Sequence, residues 1–243
     1  MKYNSLASVY DAFTDGFDYK KYLDSVFRQC EALPKEGLAL DCGCGTGTLI
    51  CELFSRGFNC TGVDMSPEML NIAREKIENS GYEPHLVCQT LQDIDLYGAY
   101  HIAFCSLDTV NHILYKRDLK TFFKKLYNFI EPGGFFVFDV KTSAAFKKTV
   151  GMQTFEHDDG SVAMINGSFS SDIAYYAISV FEARSDGLFE KYESEIEERF
   201  YSVDSLKSML VSSGFCVEKR YNIGDRQVWI TARSEKTGIK KNG

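Results

Sequence analysis

The sequence lacks any run of about 20 apolar residues, the length that a membrane-spanning helix needs. Its first residues, Met1 to Ser5, lack the apolar core of a signal peptide. A surplus of basic residues is also missing, because 27 Lys and Arg face 34 Asp and Glu, for a net charge of -7. Nucleic-acid binding rests largely on Lys and Arg, so we expect a cytoplasmic protein with no membrane partner and no DNA partner.

Two further features leave this expectation unchanged. Five basic residues have a spacing that fits the solvated face of one helix better than a phosphate-binding patch: Lys116, Arg117, Lys120, Lys124 and Lys125. No second Cys or His pair stands at ligand spacing from Cys42, Cys44 and Cys51, so we expect no metal site. The eight cysteines are expected to be reduced thiols.

Short apolar runs alternate with longer amphipathic ones, which predicts parallel strands joined by helices. Strands are predicted at 38–41, 59–63, 85–88, 101–106 and 135–139, and helices at 48–56, 67–79 and 117–130. Ser66 fits the N-cap of the second helix, and Pro67 fits its first turn. The run from Glu131 to Gly134 predicts a helix stop followed by a turn.

The pattern changes between about residues 142 and 201. Turn signals at 158–160, 170–172 and 186–187 separate β-branched and aromatic runs, which predicts antiparallel strands. Leu188, Tyr192, Ile196 and Phe200 recur every four residues and fit a strand face or, more loosely, a Glu-rich helix, and we favour the strand. A helix at 205–213 and strands at 215–221 and 226–233 follow.

The predicted fold class is therefore α/β, with a doubly wound, Rossmann-like, mostly parallel seven-stranded sheet and an inserted antiparallel β lid. The predicted division of the chain is an α/β domain of residues 1–141 and 202–235, a lid of residues 142–201 that covers the substrate, and a flexible tail of residues 236–243.

The most informative segment is a strand, a glycine-rich loop and a helix start between Leu38 and Leu49. Glycine allows a sharp turn and lets a ligand approach main-chain N–H groups. The pattern acid-x-G-x-G-x-G from Asp41 to Gly47 differs from the dinucleotide loop G-x-G-x-x-G, and the P-loop Lys-Ser/Thr pair is absent. Asp64 ends the next strand, 21 residues after Gly43, where a carboxylate can accept both hydrogen bonds of a ribose diol.

These features resemble the class I S-adenosylmethionine-dependent methyltransferases, in particular a compact bacterial branch related to the glycine and sarcosine N-methyltransferases. The resemblance spans nearly the whole chain. It rests on residues 3–11, 41–47, 62–66, 105–111, 132–134 and 198–201.

The resemblance implies S-adenosylmethionine as the cofactor and implies a set of contacts with it. Asp41 would orient the loop and the methionine amino group, and Asp64 would hold the ribose. The methionine part would be lined by Gly43, Cys44, Gly45 and Gly47. Met65 would pack on adenine, Thr90 and Leu91 would edge the ring, Cys105 and Leu107 would lie under the cofactor, and Tyr10 would close the site.

Candidate residues for the acceptor follow the fourth and fifth strands or lie near the end of the insertion. The predicted substrate-binding residues are Asp108, Asn111 and Arg199, and the predicted catalytic residues are His112, Asp139 and Tyr201. Four of them have an ordinary alternative. His112 could be a solvated helix-start histidine, and Asp139 could cap a turn. Arg199 could pair with neighbouring Glu residues, and Tyr201 could be an aromatic core residue.

We expect an enzyme that transfers a methyl group to a small-molecule acceptor with an N or O nucleophile by in-line displacement, as a monomer or homodimer. The alternatives are a non-catalytic S-adenosylmethionine-binding module, an RNA-modifying methyltransferase and, less favoured by the glycine spacing, an NAD-dependent oxidoreductase. The Asn/Asp-Pro-Pro-Tyr/Phe loop of nucleic-acid methyltransferases is absent, because Cys105-Ser106-Leu107-Asp108 stands in its place.

Overall fold

The computed structural model describes residues 17–234. Helix α1, Tyr19–Gln29, comes first, with the carboxylate of its N-cap Asp18 accepting a hydrogen bond from Lys21 N. The sequence analysis missed this helix, although its buried residues Tyr22, Leu23 and Val26 have helical spacing. Alternating strands and helices follow: β1 Gly37–Cys42, α2 Thr48–Ser55, β2 Phe58–Asp64, α3 Pro67–Asn79, β3 His85–Cys88, β4 Tyr100–Cys105, α4 Lys116–Phe129 and β5 Ile130–Lys141.

The bounds confirm the predicted elements in this half of the chain to within one or two residues, apart from β5. Helix α3 begins as predicted, because the Ser66 hydroxyl accepts a hydrogen bond from Met69 N and Pro67 occupies the first turn. Two short 3₁₀ helices, Leu91–Asp93 and Thr109–His112, follow β3 and β4.

The predicted helix stop is confirmed, because α4 ends at Phe129, but residues 131–134, predicted as a turn, belong to β5. Tyr100 pairs with Ile130 and Ile102 pairs with Phe135, so these four residues form an irregularity inside β5, opposite His101. Gly133 supplies the positive φ of 80° that this bend requires. Strand pairing on both sides keeps the segment within the sheet.

The main sheet has seven strands, of which the last two are β10, Phe215–Ile223, and β11, Arg226–Arg233. Their order in the sheet is β10-β11-β5-β4-β1-β2-β3. Strands β1 to β5 run parallel to one another, whereas β11 runs antiparallel to both β5 and β10. This architecture confirms the predicted fold class. Strand β1 lies between β4 and β2, so strand order reverses there, and ligands of such sheets bind at the carboxyl ends of the strands at that point.

Apolar clusters cover both faces of this sheet. One face packs Phe122, Phe123, Phe136, Phe138 and Trp229, all at most 1% exposed, with α4 and α6, Val203–Ser212. The other face packs Leu53, Phe58 and Phe104 with α1, α2 and α3. Burial of this much aromatic and aliphatic surface is the main favourable contribution to folding, and it holds the strand ends in place.

A second sheet, with order β6-β7-β8-β9, follows β5 and the short helix α5, Ser143–Lys148. Its antiparallel strands are β6 Gly151–Glu156, β7 Val162–Ser170, β8 Ile173–Ala183 and β9 Phe189–Arg199. This confirms the predicted antiparallel strands and the strand interpretation of Tyr192 and Ile196. The sequence analysis missed α5, whose Phe146 is fully buried against Ala174 and Val180 of the sheet. The domain limits proposed from the sequence stay a prediction.

Within residues 17–234, none of the helices combines the length and apolarity required to cross a bilayer. The same residues contain no group of three or more His, Cys, Asp or Glu side chains suited to a metal ion, and all eight cysteines are free thiols. The predicted tail, 236–243, lies outside the described residues.

Candidate active site

The glycine loop joins β1 to α2 with three left-handed residues. Gly43, Gly45 and Gly47 have φ of 77°, 53° and 78°. A Cβ on Gly43 would lie 2.4 Å from Thr109 Cγ2, and one on Gly47 would lie 3.0 Å from Ala73 Cβ. A Cβ on Gly45 would meet nothing within 4 Å. Two of the glycines therefore permit close packing, and the third leaves main chain facing open space.

Neighbouring elements hold the loop from two sides. Gly43 N and Cys44 N both donate to Val63 O of β2, at 2.7 and 3.0 Å. The Lys76 ammonium of α3 donates to the hydroxyls of Thr46, at 3.0 Å, and Thr48, at 2.7 Å. The loop is thus bonded to β2 through two main-chain N–H groups and to α3 through two threonine hydroxyls.

Two carboxylates flank the loop. Asp64 accepts hydrogen bonds at 2.9 Å from Gly45 N and from Ser66 N, one on each oxygen. Burial raises the pKa of Asp64, and these N–H groups oppose that rise. Asp41 is 2% exposed, and burial together with the nearby Asp64 charge raises its pKa to about 8. Asp41 is therefore mostly protonated at neutral pH. Asp64 borders the open space beside the loop.

A cavity of about 460 Å³ opens beside the loop. This volume falls within the range of about 300–1,000 Å³ that is usual for small-molecule sites. The cavity brings together many of the residues predicted from the sequence: Gly43, Gly45, Asp64, Met65, Thr90, Leu91, Leu107 and His112. A larger, open groove of about 550 Å³ near Phe27 and Arg56 contains none of the predicted residues.

The sequence analysis missed other lining residues, namely Ser66, Met69, Gln89, Gln92, Thr109, Ile113, Leu114, Tyr115, Asp118 and Glu197. Most of them follow the carboxyl ends of β2, β3 and β4, so the rule that placed Asp64 and Leu107 there also points to these segments. Glu197 had no comparable signal, because it comes from β9 of the second sheet.

The segment after β4 contains two consecutive left-handed residues that are not glycine. Leu107 and Asp108 have φ of 55° and 64°. The buried carboxylate of Asp139, at the end of β5, accepts hydrogen bonds from both of their N–H groups, each at 3.0 Å. A left-handed backbone conformation costs energy for residues other than glycine, and it persists where the surrounding structure imposes it. Asp139 was predicted to act on the acceptor, but the structure gives it this main-chain contact and no place in the cavity lining.

A buried charge network surrounds this turn. Lys141 Nζ lies 2.8 and 2.7 Å from the two Glu198 oxygens and 3.5 Å from Asp108 Oδ2. Arg226 donates to Asp108 Oδ2 at 2.8 Å, and its Nε lies 3.5 Å from Asp139 Oδ1. Asp108, predicted to bind substrate, is thus held by two cations and does not line the cavity. Because Lys141 and Arg226 are not glycines, caps or motif residues, nothing in the sequence pattern marked them.

The network shifts the pKa values of its members. Burial and the Asp108 charge raise the pKa of Asp139 to about 6, although Arg226 opposes this. The carboxylates of Asp108 and Glu198 raise the pKa of Lys141 despite its burial. His112 lines the cavity with its Nε2 3.6 Å from Glu198 Oε1, and burial lowers its pKa below the usual 6.5 although Glu198 raises it. His112 is therefore largely uncharged at neutral pH.

Three further predicted residues hold the wall of the cavity from behind. The Arg199 guanidinium donates to the carbonyl of Leu114, and the Tyr201 hydroxyl donates to the carbonyl of Ile113. Asn111 donates to Arg199 O at 2.8 Å and accepts from Lys141 N at 3.0 Å. None of the three lines the cavity. Their polar groups are used within the protein, because buried main-chain carbonyls and N–H groups need partners.

Four of the predicted cofactor residues within 17–234 are not among those that line the cavity. They are Asp41, Cys44, Gly47 and Cys105. Cys105 is fully buried, and Cys44 packs with its sulfur towards Gly62. Tyr10 lies outside the described residues. Among the aromatic residues of the insertion, Tyr176 is buried beside Ala174 and Val180, so it forms core.

Comparisons with known proteins agree with this architecture. Residues 39–134, which include the glycine loop and Asp64, match a family model described as a methyltransferase domain. A Bacillus subtilis protein named as a methyltransferase, YqeM, is 28% identical over 219 residues, covering 88% of this chain and 87% of that protein.

Solved structures share the whole fold. A S-adenosylmethionine-dependent methyltransferase from Clostridium acetobutylicum superposes with a TM-score of 0.85 at 28% identity, covering 96% of this chain and 99% of that one. The S-adenosylmethionine-bound amino pentose methyltransferase CalS10 from Micromonospora echinaspora has a TM-score of 0.77 at 18% identity, covering 93% and 97%, and shares the fold. The matched domain, the relatives and the shared architecture support a S-adenosylmethionine-dependent methyltransferase with the class I fold.

Proposed function

We propose that the cavity beside the glycine loop binds S-adenosylmethionine and that the enzyme transfers its methyl group to a small-molecule acceptor with an N or O nucleophile. The main support for the proposal is that one cavity is lined by Gly45, Asp64, Met65 and Leu107. These residues come from three separate segments, and each was predicted from the sequence to contact the cofactor.

The residues present fit this cofactor. The Gly45 main chain faces open space that a side chain would enter, as close approach of a ligand requires. Asp64 uses each oxygen for one main-chain N–H bond, and a carboxylate oxygen has a second lone-pair site for a ribose hydroxyl. Met65 is 56% exposed at the cavity, which is unusual for a large apolar side chain and suits a flat ring. Thr90 and Leu91 would edge that ring.

The cofactor supplies a methyl group that is activated on a sulfonium. The protein mainly has to hold the acceptor in line with that methyl and exclude water, and alignment of this kind is worth about 7 kcal/mol or more. Leu107, held by Asp139 through its N–H group, is part of the surface that would fix the geometry. Arg199 and Tyr201 would act in the same way by holding the carbonyls of Leu114 and Ile113.

His112 is the residue we propose as proton acceptor. It is the one imidazole among the described residues that line the cavity, and it is uncharged at neutral pH because burial lowers its pKa. A base contributes when the acceptor arrives protonated, as an ammonium or a phenol would. The resemblance to glycine and sarcosine N-methyltransferases and the fold shared with the amino pentose enzyme both favour nitrogen.

Release of S-adenosylhomocysteine from a panel of amines, phenols and alcohols tests the proposal. We expect turnover with at least one small acceptor and a fall of about 10²-fold or more in kcat for His112→Asn, with unchanged S-adenosylmethionine affinity. Saturable cofactor binding without turnover on any acceptor, RNA included, would indicate a non-catalytic binding module. Turnover confined to RNA would indicate the RNA-modifying alternative.

A further inference from the structure

The charged side chains that line the cavity are of one sign. They are the carboxylates of Asp64, Asp118 and Glu197, and no Lys or Arg is among the lining residues within 17–234. Asp64 is assigned to the ribose in the proposed function. Asp118 and Glu197 have no part in the expected cofactor contacts, and they lie with His112, Ile113, Leu114 and Tyr115 on the segments that follow β4 or come from β9.

The cations near this wall have partners within the protein. The exposed Arg117 lies 3.1 Å from one oxygen of Asp118 and 5.3 Å from the Tyr115 ring, and such a surface ion pair is weak. Lys141 pairs with Glu198 and Asp108, Arg226 pairs with Asp108, and the Arg199 guanidinium donates to the Leu114 carbonyl. An acceptor carboxylate or phosphate that attracted Lys141 or Arg226 would leave a buried carboxylate unpaired, which is strongly unfavourable. Arg199, predicted to bind substrate, does not line the cavity, and its guanidinium is bonded to the Leu114 carbonyl.

The buried network behind the wall has no surplus of positive charge. The three carboxylates of Asp108, Asp139 and Glu198 face the two cations Lys141 and Arg226, and the Arg199 guanidinium lies behind the same wall. Asp108 Oδ1 is buried and has no hydrogen-bond partner in the described structure. Charges in a water-poor cleft are screened less than at the surface, so the carboxylates of the lining dominate the field in the cavity.

We infer that the methyl acceptor is an amine that enters the cavity as a cation, recognised by the carboxylates of Asp118 and Glu197. This inference rests on the proposed function of the same site. It also accounts for a charge problem, because an ammonium and a sulfonium repel each other when they are brought together. Carboxylates on the acceptor side offset that repulsion.

The methyl transfer requires an acceptor for a proton, which is His112, and an acceptor for an electron pair, which is the sulfonium sulfur. The ammonium nitrogen gives one proton to the imidazole of His112, which becomes imidazolium. The nitrogen lone pair then forms the new N–C bond as the C–S bond breaks, and the electron pair of that bond stays on sulfur, which becomes a neutral thioether. The product is a methylated ammonium, and the imidazolium returns its proton to water.

Ligand-observed NMR on the full chain saturated with S-adenosylhomocysteine tests the inference without turnover. The probes are matched sets on common skeletons: benzylamine, benzyl alcohol and benzoate, and glucosamine, glucose and glucuronate. At neutral pH we expect at least one amine to bind about tenfold or more tightly than its alcohol, and the anions to bind least. Glu197→Gln and Asp118→Asn should each weaken amine binding several-fold, while alcohol binding should stay the same.

Glu193→Gln is the matched control. Glu193 lies on the same strand as Glu197, is 66% exposed and does not line the cavity, so its loss should leave amine binding unchanged. The inference is overturned if no amine binds, if alcohols or anions bind as tightly as amines, or if both cavity variants retain wild-type amine affinity. Calorimetry with S-adenosylhomocysteine distinguishes failure of the proposed function from failure of the inference. Absence of S-adenosylhomocysteine binding would contradict the proposed function. Binding of S-adenosylhomocysteine without a preference for amines would contradict the inference alone.

Discussion

Asp139→Asn should change stability by an amount that depends on pH, because two contributions oppose each other. The wild-type carboxylate accepts the N–H groups of Leu107 and Asp108, one on each oxygen. The amide of Asn keeps one acceptor oxygen and presents an NH₂ group to the other N–H. One buried N–H then has no acceptor, which costs about 1–3 kcal/mol at any pH.

The charge of Asp139 contributes with the opposite sign. Burial and Asp108 raise its pKa from 3.8 to about 6 in the folded protein. Because the folded pKa lies above the unfolded one, the stabilisation from the protonated carboxyl is complete below the unfolded pKa and is lost as pH rises through 6. At about 1.36 kcal/mol per pKa unit, the loss between pH 5 and pH 8 is about 1.4 kcal/mol in the wild type. The Asn variant has no such loss.

Urea unfolding of both proteins at pH 5, 6, 7 and 8 measures the difference. The unfolding free energy of Asp139→Asn relative to wild type should rise by about 1.4 kcal/mol from pH 5 to pH 8, with most of the change between pH 5 and pH 6. Asp225→Asn removes an exposed carboxylate that pairs with Lys148 and serves as the surface control. A stability difference that stays constant over this range would refute the reasoning.

Three other substitutions test separate parts of the site. Gly43→Ala should destabilise the protein by about 2 kcal/mol in denaturant unfolding, since its Cβ would lie 2.4 Å from Thr109 Cγ2, and a Thr109→Ser background should recover part of this loss; no recovery would contradict the packing argument. Asp41 has a pKa of about 8 and should lose its proton when the ammonium of the cofactor binds, so the affinity for S-adenosylmethionine should rise from pH 7 to 8.5. Calorimetry in buffers of different ionisation enthalpy should detect the released proton in the wild type but not in Asp41→Asn. The acidic limb of kcat/KM should lie below pH 6.5, and Glu198→Gln should move it lower, because Glu198 raises the pKa of His112 whereas burial and Lys141 lower it; a limb that moves upward would exclude His112 as the base.

Local patterns in the sequence predicted much of the fold and the cofactor half of the site. The alternation of apolar and amphipathic runs placed β1 to β4 and α2 to α4, and turn residues placed the antiparallel strands. The glycine spacing and the position of Asp64 at a strand end were enough to bring these residues to one cavity, because parallel strands share a carboxyl edge. These signals are all short-range in the chain.

The acceptor half depended on contacts between distant segments, which local patterns do not encode. Asp139 looks like any strand-end acid until its two bonds to the Leu107–Asp108 turn are seen, 32 and 31 residues away. Glu198 and Lys141 meet across 57 residues, between the two sheets. Tyr201 and Arg199 were identified as functional candidates by residue type, but their partners are main-chain carbonyls 88 and 85 residues earlier.

The turn predicted at Glu131 to Gly134 was wrong for a related reason. Proline and glycine together are typical of a turn. Here the pairing of Ile130 with Tyr100 before the run, and of Phe135 with Ile102 after it, keeps both sides in one strand. Tertiary pairing therefore decided the conformation over local preference.

Calorimetric titration of S-adenosylmethionine into the wild type and Asp64→Ala tests the central claim most directly. We expect saturable one-site binding by the wild type and a loss of about tenfold or more in affinity for the variant, because a ribose diol would lose charge-assisted hydrogen bonds to the Asp64 carboxylate. Circular dichroism should show both proteins folded. Equal affinity in the two proteins, or no saturable binding by the folded wild type, would contradict the assignment of this cavity to the cofactor.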